Sequence, residues 1–378
     1  MAEPLKSGFG CAVPKRIATL IAAVHPRFDV RGFTAAALDG YEKLELMPRA
    51  RHIAAALHRH LPDDFTTAAS ILIDSLGPDS PADNDLPPFF YLPHVLFVAA
   101  YGLDHFEPSM RAQYELTQRF TAEFSIRPFL IHHQARTLKR LEQWSADDNV
   151  HVRRLVSEGT RPRLPWAMRL PEFQRDPRPV LTLLECLKDD PEQYVRRSVA
   201  NNLNDIGKDN PAVLIATAAR WLKNAPPPRA ALLRHALRSS IKAGDQRALA
   251  LLGFGANAEV ALRSIAIAPE RARIGDRISI AFEIVNKSKR PQRVLVDLKV
   301  HYAKANGKTA AKVYKLKRVE LAPRAAASFA KSLSLADRST RRHHAGTHRI
   351  EAQLNGRALA LGQFDLTAAV KKPARRKA

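Results

Sequence analysis

Trp144–Gly159 reads W-S-A-D-D-N-V-H-V-R-R-L-V-S-E-G, and Leu187–Asn202, 43 positions later, reads L-K-D-D-P-E-Q-Y-V-R-R-S-V-A-N-N. Val152-Arg153-Arg154-x-Val156 returns as Val195-Arg196-Arg197-x-Val199, in each copy behind an acidic turn. A repeat of this length, with turn residues ahead of an amphipathic run, is the trace that stacked helix pairs leave in a sequence. It predicts an α-solenoid. The paired arginines are expected along one face of the stack, where they would meet a polyanion. Just beyond them the copies diverge: one carries Glu158, the other Asn201 with Asp205 a turn later. Basic residues that repeat beside carboxylates that do not point to a polyanion-binding face with one specialised spot.

The rest of the first 250 or so residues extends the helical reading, since apolar residues recur at helical spacing in 51–57, 68–76, 110–124 and 136–144 between Pro and Gly breaks. HEAT-like repeats are therefore expected over 1–257. Segments 78–88 and 225–228 read as Pro-rich loops, and Arg161-Pro162-Arg163-Leu164-Pro165-Trp166 as a stiff connector that carries an aromatic back past Glu158. After Gly255 the period changes to two. Strands are expected at 260–267, 278–286, 294–302, 312–316, 326–335, 348–354 and 358–366, a count that fits an immunoglobulin-like β-sandwich over 258–368 without its disulfide. The run 369–378 reads as a basic disordered tail. The fold class is thus multidomain, α then β.

Composition names the kind of partner. The 378 residues hold 60 Lys+Arg against 37 Asp+Glu, a formal net charge of +23, and from Glu259 onward there are 27 basic and 9 acidic residues. Such an excess suits nucleic acid. The two cysteines, Cys11 and Cys186, make no disulfide framework and no metal-ligand spacing, which fits a reducing cytoplasm. No run reaches the roughly 18 apolar residues of a membrane span, so no membrane partner is expected. His343, His344 and His348 lie close in sequence but without neighbouring acids, His132 and His133 cannot share one helix face, and Gly8-Phe9-Gly10 lacks the third glycine of a dinucleotide motif. No metal or other cofactor is expected. Trp144 and Trp221, at apolar helical positions, are assigned to the core.

Four runs carry a resemblance: Met110-Arg111-Ala112-Gln113-Tyr114-Glu115; Phe120–Phe129 (F-T-A-E-F-S-I-R-P-F); Val152–Trp166 (V-R-R-L-V-S-E-G-T-R-P-R-L-P-W); and Tyr194–Asp205 (Y-V-R-R-S-V-A-N-N-L-N-D). Through them the region 110–210 resembles the AlkC/AlkD superfamily of HEAT-repeat DNA glycosylases, AlkC in particular. A weaker likeness runs through Tyr91-Leu92-Pro93-His94-Val95, and some AlkC proteins carry an immunoglobulin-like domain where this chain has its strands. The resemblance implies hydrolysis of the N-glycosidic bond of cationic alkylated bases, 3-methyladenine and 3-methylcytosine, in duplex DNA, leaving an abasic site. A base that already carries positive charge is a good leaving group, so carboxylates that stabilise an oxocarbenium ion and orient water suffice, with no lysine nucleophile. Carried over by motif, Glu123, Glu158 and Asp205 are the implied active-site acids. Trp166 is the implied aromatic beside the lesion, and Arg154, Arg161, Arg163 and Arg197 are candidates for the DNA backbone.

The resemblance also implies a duplex held on a concave face without a deep base pocket. The basic sandwich is expected to clamp the duplex from the opposite side, through the 338–349 loop or the 286–293 turn. A cytoplasmic, nucleoid-associated monomer is expected. The competing reading is a catalytically inert HEAT/immunoglobulin-like scaffold that binds DNA.

Overall fold

The computed structural model describes residues 5–77, 86–87, 89–255, 258–338 and 341–368. Most of the Pro-rich segment 78–88 and all of the tail 369–378 lie outside the described residues. Two compact units, Met1–Ala236 and Leu237–Ala378, divide the chain.

The first unit is helical: α1 Ala12–Val24, α2 Val30–Leu38, α3 Leu46–His60, α4 Phe65–Asp74, α5 Leu92–Tyr101, α6 Phe106–Arg119 and α7 Ile126–His132, then α8 Gln134–Trp144, α9 Val150–Gly159, α10 Pro171–Arg175, α11 Arg178–Leu187, α12 Gln193–Asp209, α13 Pro211–Leu222 and α14 Pro227–Ala236. Starts follow local chemistry. Asp29, Asp64 and Asn149 accept bonds from the first free amides of α2, α4 and α9. Proline stands in the first turn of α5, α10, α11 and α13, where its missing N–H costs nothing. The repeat is two helix pairs, α8–α9 and α11–α12, and its shared valines, Val152, Val156, Val195 and Val199, are all buried. Trp144 and Trp221 are buried as expected, the latter donating Nε1 to Glu185 Oε2 at 2.7 Å.

The arginine pairs depart from expectation. The first of each pair turns back to close the loop before its own helix: Arg153 Nη1 donates to the carbonyls of Asp147 and Asp148, both at 2.9 Å, and Arg196 Nη1 to those of Asp190 and Pro191. These arginines are stapled to the scaffold by carbonyls that the turn would otherwise leave unpaired.

His94, on α5, is buried with its Nδ1 unpartnered among the described residues, and burial drives its pKa down from the ordinary imidazole range to about 4. The folded state therefore holds fewer protons than the unfolded one between those values. Its contribution is complete above the unfolded imidazole pKa of about 6.5 and is lost as pH falls toward 4. Urea midpoints at pH 7 and pH 5 should differ, with pH 5 less stable. The difference should shrink in His94→Gln if that protein folds, and an unchanged pH slope would clear His94.

In the second unit, α15 Arg238–Ala243 and α16 Gln246–Leu251 precede eight strands: β1 Val260–Ala268, β2 Arg271–Arg273, β3 Arg277–Asn286, β4 Gln292–Ala303, β5 Thr309–Leu321, β6 Ala326–Ser334, β7 Gly346–Leu354 and β8 Arg357–Thr367. They form a three-stranded sheet, β1-β3-β6, and a five-stranded sheet, β2-β8-β7-β4-β5. Alternation is strict where both faces differ in environment: along β3, Ile278, Ile280, Phe282 and Ile284 face the core with Val296, Leu298 and Val300 of β4. The two short helices group with the strands, although their helical period placed them with the first 257 residues. Gln246 Nε2 donates to the Asn355 carbonyl at 3.0 Å, and a Cβ on Gly356 would stand 2.7 Å from Leu249 Cδ1, so the β7–β8 turn seats itself on α16 through a residue without a side chain. Among the described residues no helix is long and apolar enough to cross a membrane.

Candidate active site

The site begins where α9 stops. Gly159, the last residue of α9, leaves no room for a side chain, since a Cβ there would lie 2.6 Å from Ile126 Cγ2 of α7. The connector 160–170 then loops out and returns, closed by Leu170 N–H donating to Pro162 O at 3.2 Å. A single buried guanidinium holds it: Arg127 of α7 donates to the carbonyls of Gly159 and Arg161, both at 2.9 Å, and of Met168 at 2.6 Å. Burial lowers the Arg127 pKa to about 10, still charged at neutral pH, and its Nη2 finds no partner among the described residues. From the other side Asn202 of α12 donates to Ser157 O at 2.8 Å and Thr160 Oγ1 at 3.0 Å. The end of α9 is thus fixed against α12.

This brings two of the predicted acids together. Glu158 accepts from Arg161 Nη1 at 2.6 Å and from Ser198 Oγ at 2.7 Å. Asp205, fully buried, accepts from Arg161 Nε at 2.8 Å and Lys208 Nζ at 2.7 Å. Arg161 therefore bridges the two carboxylates. Burial alone would lower its pKa, but the adjacent charges of Glu158 and Asp205 outweigh that and hold it above the ordinary arginine value.

Glu123 joins from a turn. The helix expected over 110–124 ends at Arg119, because the Thr121 hydroxyl binds both the Glu123 amide, at 3.3 Å, and the Glu123 carboxylate, at 3.1 Å, a local bond that competes with the helix. The carboxylate then reaches Arg154, whose Nη1 lies 3.0 Å from its Oε2.

The four arginines expected on a DNA backbone are placed differently from one another. Arg154 pairs with Glu123 and, at 3.6 Å, with Glu158, and its guanidinium carbon stands 5.5 Å from the centre of the Tyr194 ring. Arg161 is buried between its two acids. Arg163 forms a two-pronged pair with Asp209, holding that carboxyl below the usual range. Arg197 alone is exposed, beside Gln193 and His235 in a shallow cleft between α12 and α14.

Trp166 stands at the outer part of the connector, 65% exposed and in a left-handed conformation with φ of 64°. An exposed indole in a backbone region that bulky residues avoid marks a functional position more often than a packing one. Trp166→Ala should leave the unfolding free energy within about 0.5 kcal/mol, as for surface changes, while costing roughly tenfold, about 1.4 kcal/mol, in any activity that uses the exposed ring to hold a ligand. A melting point that drops several degrees would instead assign it to packing.

Arg127, Ser198, Tyr194 and Lys208 belong to this constellation and were not singled out in the sequence. Tyr194 and Lys208 carried a signal in their spacing: each lies within four residues of Ser198 or Asp205 on one helix. Arg127 offered only a charge inside an apolar run. Among the described residues no group of three His, Cys, Asp or Glu could hold a metal. His343 and His348 flank Tyr302 instead, with ring centres 5.4 and 5.6 Å away.

Residues 261–368 match the family described as "Uncharacterised protein YhaZ, C-terminal Ig-like domain". The chain is 37% identical over 322 residues to the uncharacterized protein YhaZ of Bacillus subtilis (strain 168), covering 84% of this chain and 87% of YhaZ. Among solved structures it is similar to the Pseudomonas fluorescens alkylpurine DNA glycosylase AlkC bound to DNA containing an abasic site analog. The two share 39% identity, with 97% of this chain and 100% of that chain covered and a TM-score of 0.89.

Proposed function

This chain belongs to the AlkC-type family of DNA alkylation repair glycosylases with a C-terminal immunoglobulin-like domain, and from that membership we propose that it hydrolyses the N-glycosidic bond of 3-methyladenine and 3-methylcytosine in duplex DNA. The observation that carries the reading is the joining of Glu158 and Asp205 through one buried arginine, on the connector that also presents an exposed tryptophan. The C1′–N bond breaks with its electron pair moving to the base, which cancels the base's positive charge. The sugar is left as an oxocarbenium ion that nearby carboxylates stabilise. Water adds at C1′ and gives its proton to Asp205, which passes it to solvent, leaving an abasic site. Lys208, with a 44% exposed side chain, is the Asp205 partner that can yield its place to that water. Glu158 and Glu123 support the developing charge, Trp166 lies against the lesion, and no lysine adduct is needed.

Incubation with N-methylated duplex DNA, followed by chromatography of released bases, tests this. Release above a buffer control supports the glycosylase, and none leaves the inert DNA-binding scaffold.

The sandwich adds phosphate contacts to the same duplex. Of the two expected surfaces, the 338–349 loop is favoured, because Arg341, Arg342 and His344 line a cavity of about 500 Å³ with Lys304 and Lys312. Five basic side chains gathered at one opening suit a phosphate backbone. Each phosphate contact contributes about 0.9 to the slope of log affinity against log salt. Lys304→Glu, Lys312→Glu and Arg342→Glu together should therefore flatten that slope by about two to three units. An unchanged slope in the folded triple variant would remove this face from DNA binding.

A further inference from the structure

Three turns of the helical unit close in the same way. The N–H groups of Asp147, Asp190 and Ala225 donate to the carbonyls of Trp144, Leu187 and Leu222, each the last residue of its helix, at 3.3, 3.2 and 3.2 Å. Leu222-Lys223-Asn224-Ala225-Pro226 thus stands, one helix pair on, where Leu187-Lys188-Asp189-Asp190-Pro191 stands in the copy before it. The copies differ at the residue that closes the turn. Asp190 sends its carboxylate back to the preceding copy and takes one edge of the Arg153 guanidinium, Nε at 2.7 Å and Nη2 at 3.2 Å. Arg196 is the same residue one copy later and is held in the same way, its Nη1 on the carbonyls of Asp190 and Pro191. The turn that follows it offers the methyl group of Ala225 in place of a carboxylate. Among the described residues the Nε and Nη2 edge of Arg196 therefore meets no acid. Two parallel donors on a planar edge match the paired oxygens of a carboxylate or a phosphate.

The surroundings of that edge decide between the two. Arg196 lines the shallow cleft between α12 and α14 together with the exposed Arg197, Gln193 and His235, and no acidic residue is among its walls. Its volume of about 100 Å³ gives room to one oxyanion. Arg197 also repeats Arg154, which stands at Glu123 and Glu158, so the cleft lies one helix pair along the face that carries the acids. Two guanidinium groups at one small opening on that face suit the backbone of a polyanion better than a single side-chain carboxylate.

We propose that this cleft is a seat for one phosphodiester group of the duplex, gripped edge-on by Arg196 with Arg197 beside it. The seat arises because the third turn carries alanine where the second carries aspartate. Arg196 is pre-set for the task by its staple to the turn, so it loses little freedom when the phosphate arrives. A phosphate fixed at one place sets the register of the duplex against Glu158 and Asp205, and so makes Arg196 a positioning residue. That the occupant is DNA rests on the glycosylase reading, whereas the fit to an oxyanion does not.

The test puts the acid back. In the full chain, Ala225→Asp gives Arg196 the partner that Asp190 gives Arg153. The melting point should hold or rise, while affinity for an undamaged duplex falls about tenfold and the slope of log affinity against log salt flattens by about 0.9. Ala225→Asn, which lacks the charge, should bind as the parent does. Adding Ala225→Asp to Arg196→Gln should weaken binding no further, because both changes remove one contact. Arg196→Met takes the place of the glutamine variant should that fail to fold. Additive losses would mean that the aspartate acts only as a charge at a distance, and they overturn the proposal, as does an unchanged affinity and slope in folded Ala225→Asp. An L-K-D-D-P peptide that binds the parent and not Ala225→Asp, with duplex affinity the same in both, would give the cleft to a protein acid and also overturn it. The predicted binding changes in a protein that releases no base from methylated duplex would uphold the phosphate seat and reject the glycosylase reading.

Discussion

Asp205→Asn is expected to slow excision by about two orders of magnitude or more, the effect of removing a preorganised charge from a cationic transition state. The residue is fully buried between Arg161 and Lys208, where low local polarity strengthens its field. Asparagine keeps the shape and can still accept one hydrogen bond, so the change isolates charge from packing. Affinity for an undamaged duplex should hold or rise, since losing an anion cannot weaken the attraction of a polyanion. Single-turnover base release and fluorescence anisotropy on one preparation separate the two quantities. Near-normal excision by a folded Asp205→Asn protein would take Asp205 out of the mechanism. Global unfolding would make it a structural partner of Arg161.

The second large effect is expected at Arg161. Replacing it with Met leaves Glu158 with a distant Arg154 and Asp205 with only Lys208, and breaking a buried pair from one side costs about 3–5 kcal/mol. Methionine fills much of the stem volume, so the loss is electrostatic rather than a cavity. Excision should fall with it by roughly a hundredfold or more, because carboxylates that repel each other no longer hold a reacting geometry. Adding Glu158→Gln to Arg161→Met should return part of the stability without returning activity, as one of the two unpaired charges is gone. Guanidinium titration followed by circular dichroism reads the first effect. A single variant within about 1 kcal/mol of the parent would show that the bridge contributes little.

What could be read from the sequence was whatever repeats locally. Val152 and Val195 reveal their helices because burial on a helix recurs every three to four residues, and Ile278, Ile280 and Phe282 reveal a strand because burial there recurs every two. Two features, β2 and the Arg161 bridge, escaped because they depend on partners far along the chain, and a third, Glu123, because a local side-chain bond overrode the helical period. β2, three residues long, exists by parallel pairing with β8 and has no period of its own. Glu123 seemed helical until Thr121 took its amide. Arg161 sits three residues from Glu158, a spacing open to inspection, yet its bond to Asp205 spans 44 positions and needed α9 and α12 to be stacked. The arginine pairs misled for the opposite reason. A repeated charge looked like a repeated surface, when Arg153 and Arg196 repeat because the turn they close repeats.

The grip of Arg127 on the connector has a consequence for how this family can change. It touches main-chain oxygens of residues 159, 161 and 168 and reads none of their side chains. Every backbone carries those oxygens whatever residue is written there. Positions 165–167, Trp166 among them, are turned outward and can therefore be rewritten without loosening the frame that presents them, while buried Leu164 and the Arg163–Asp209 pair stay part of that frame. The exposed tip of the connector and the integrity of the scaffold can in this way vary separately, and substitutions at 165–167 should leave the melting point of the folded protein unchanged wherever Arg127 is kept.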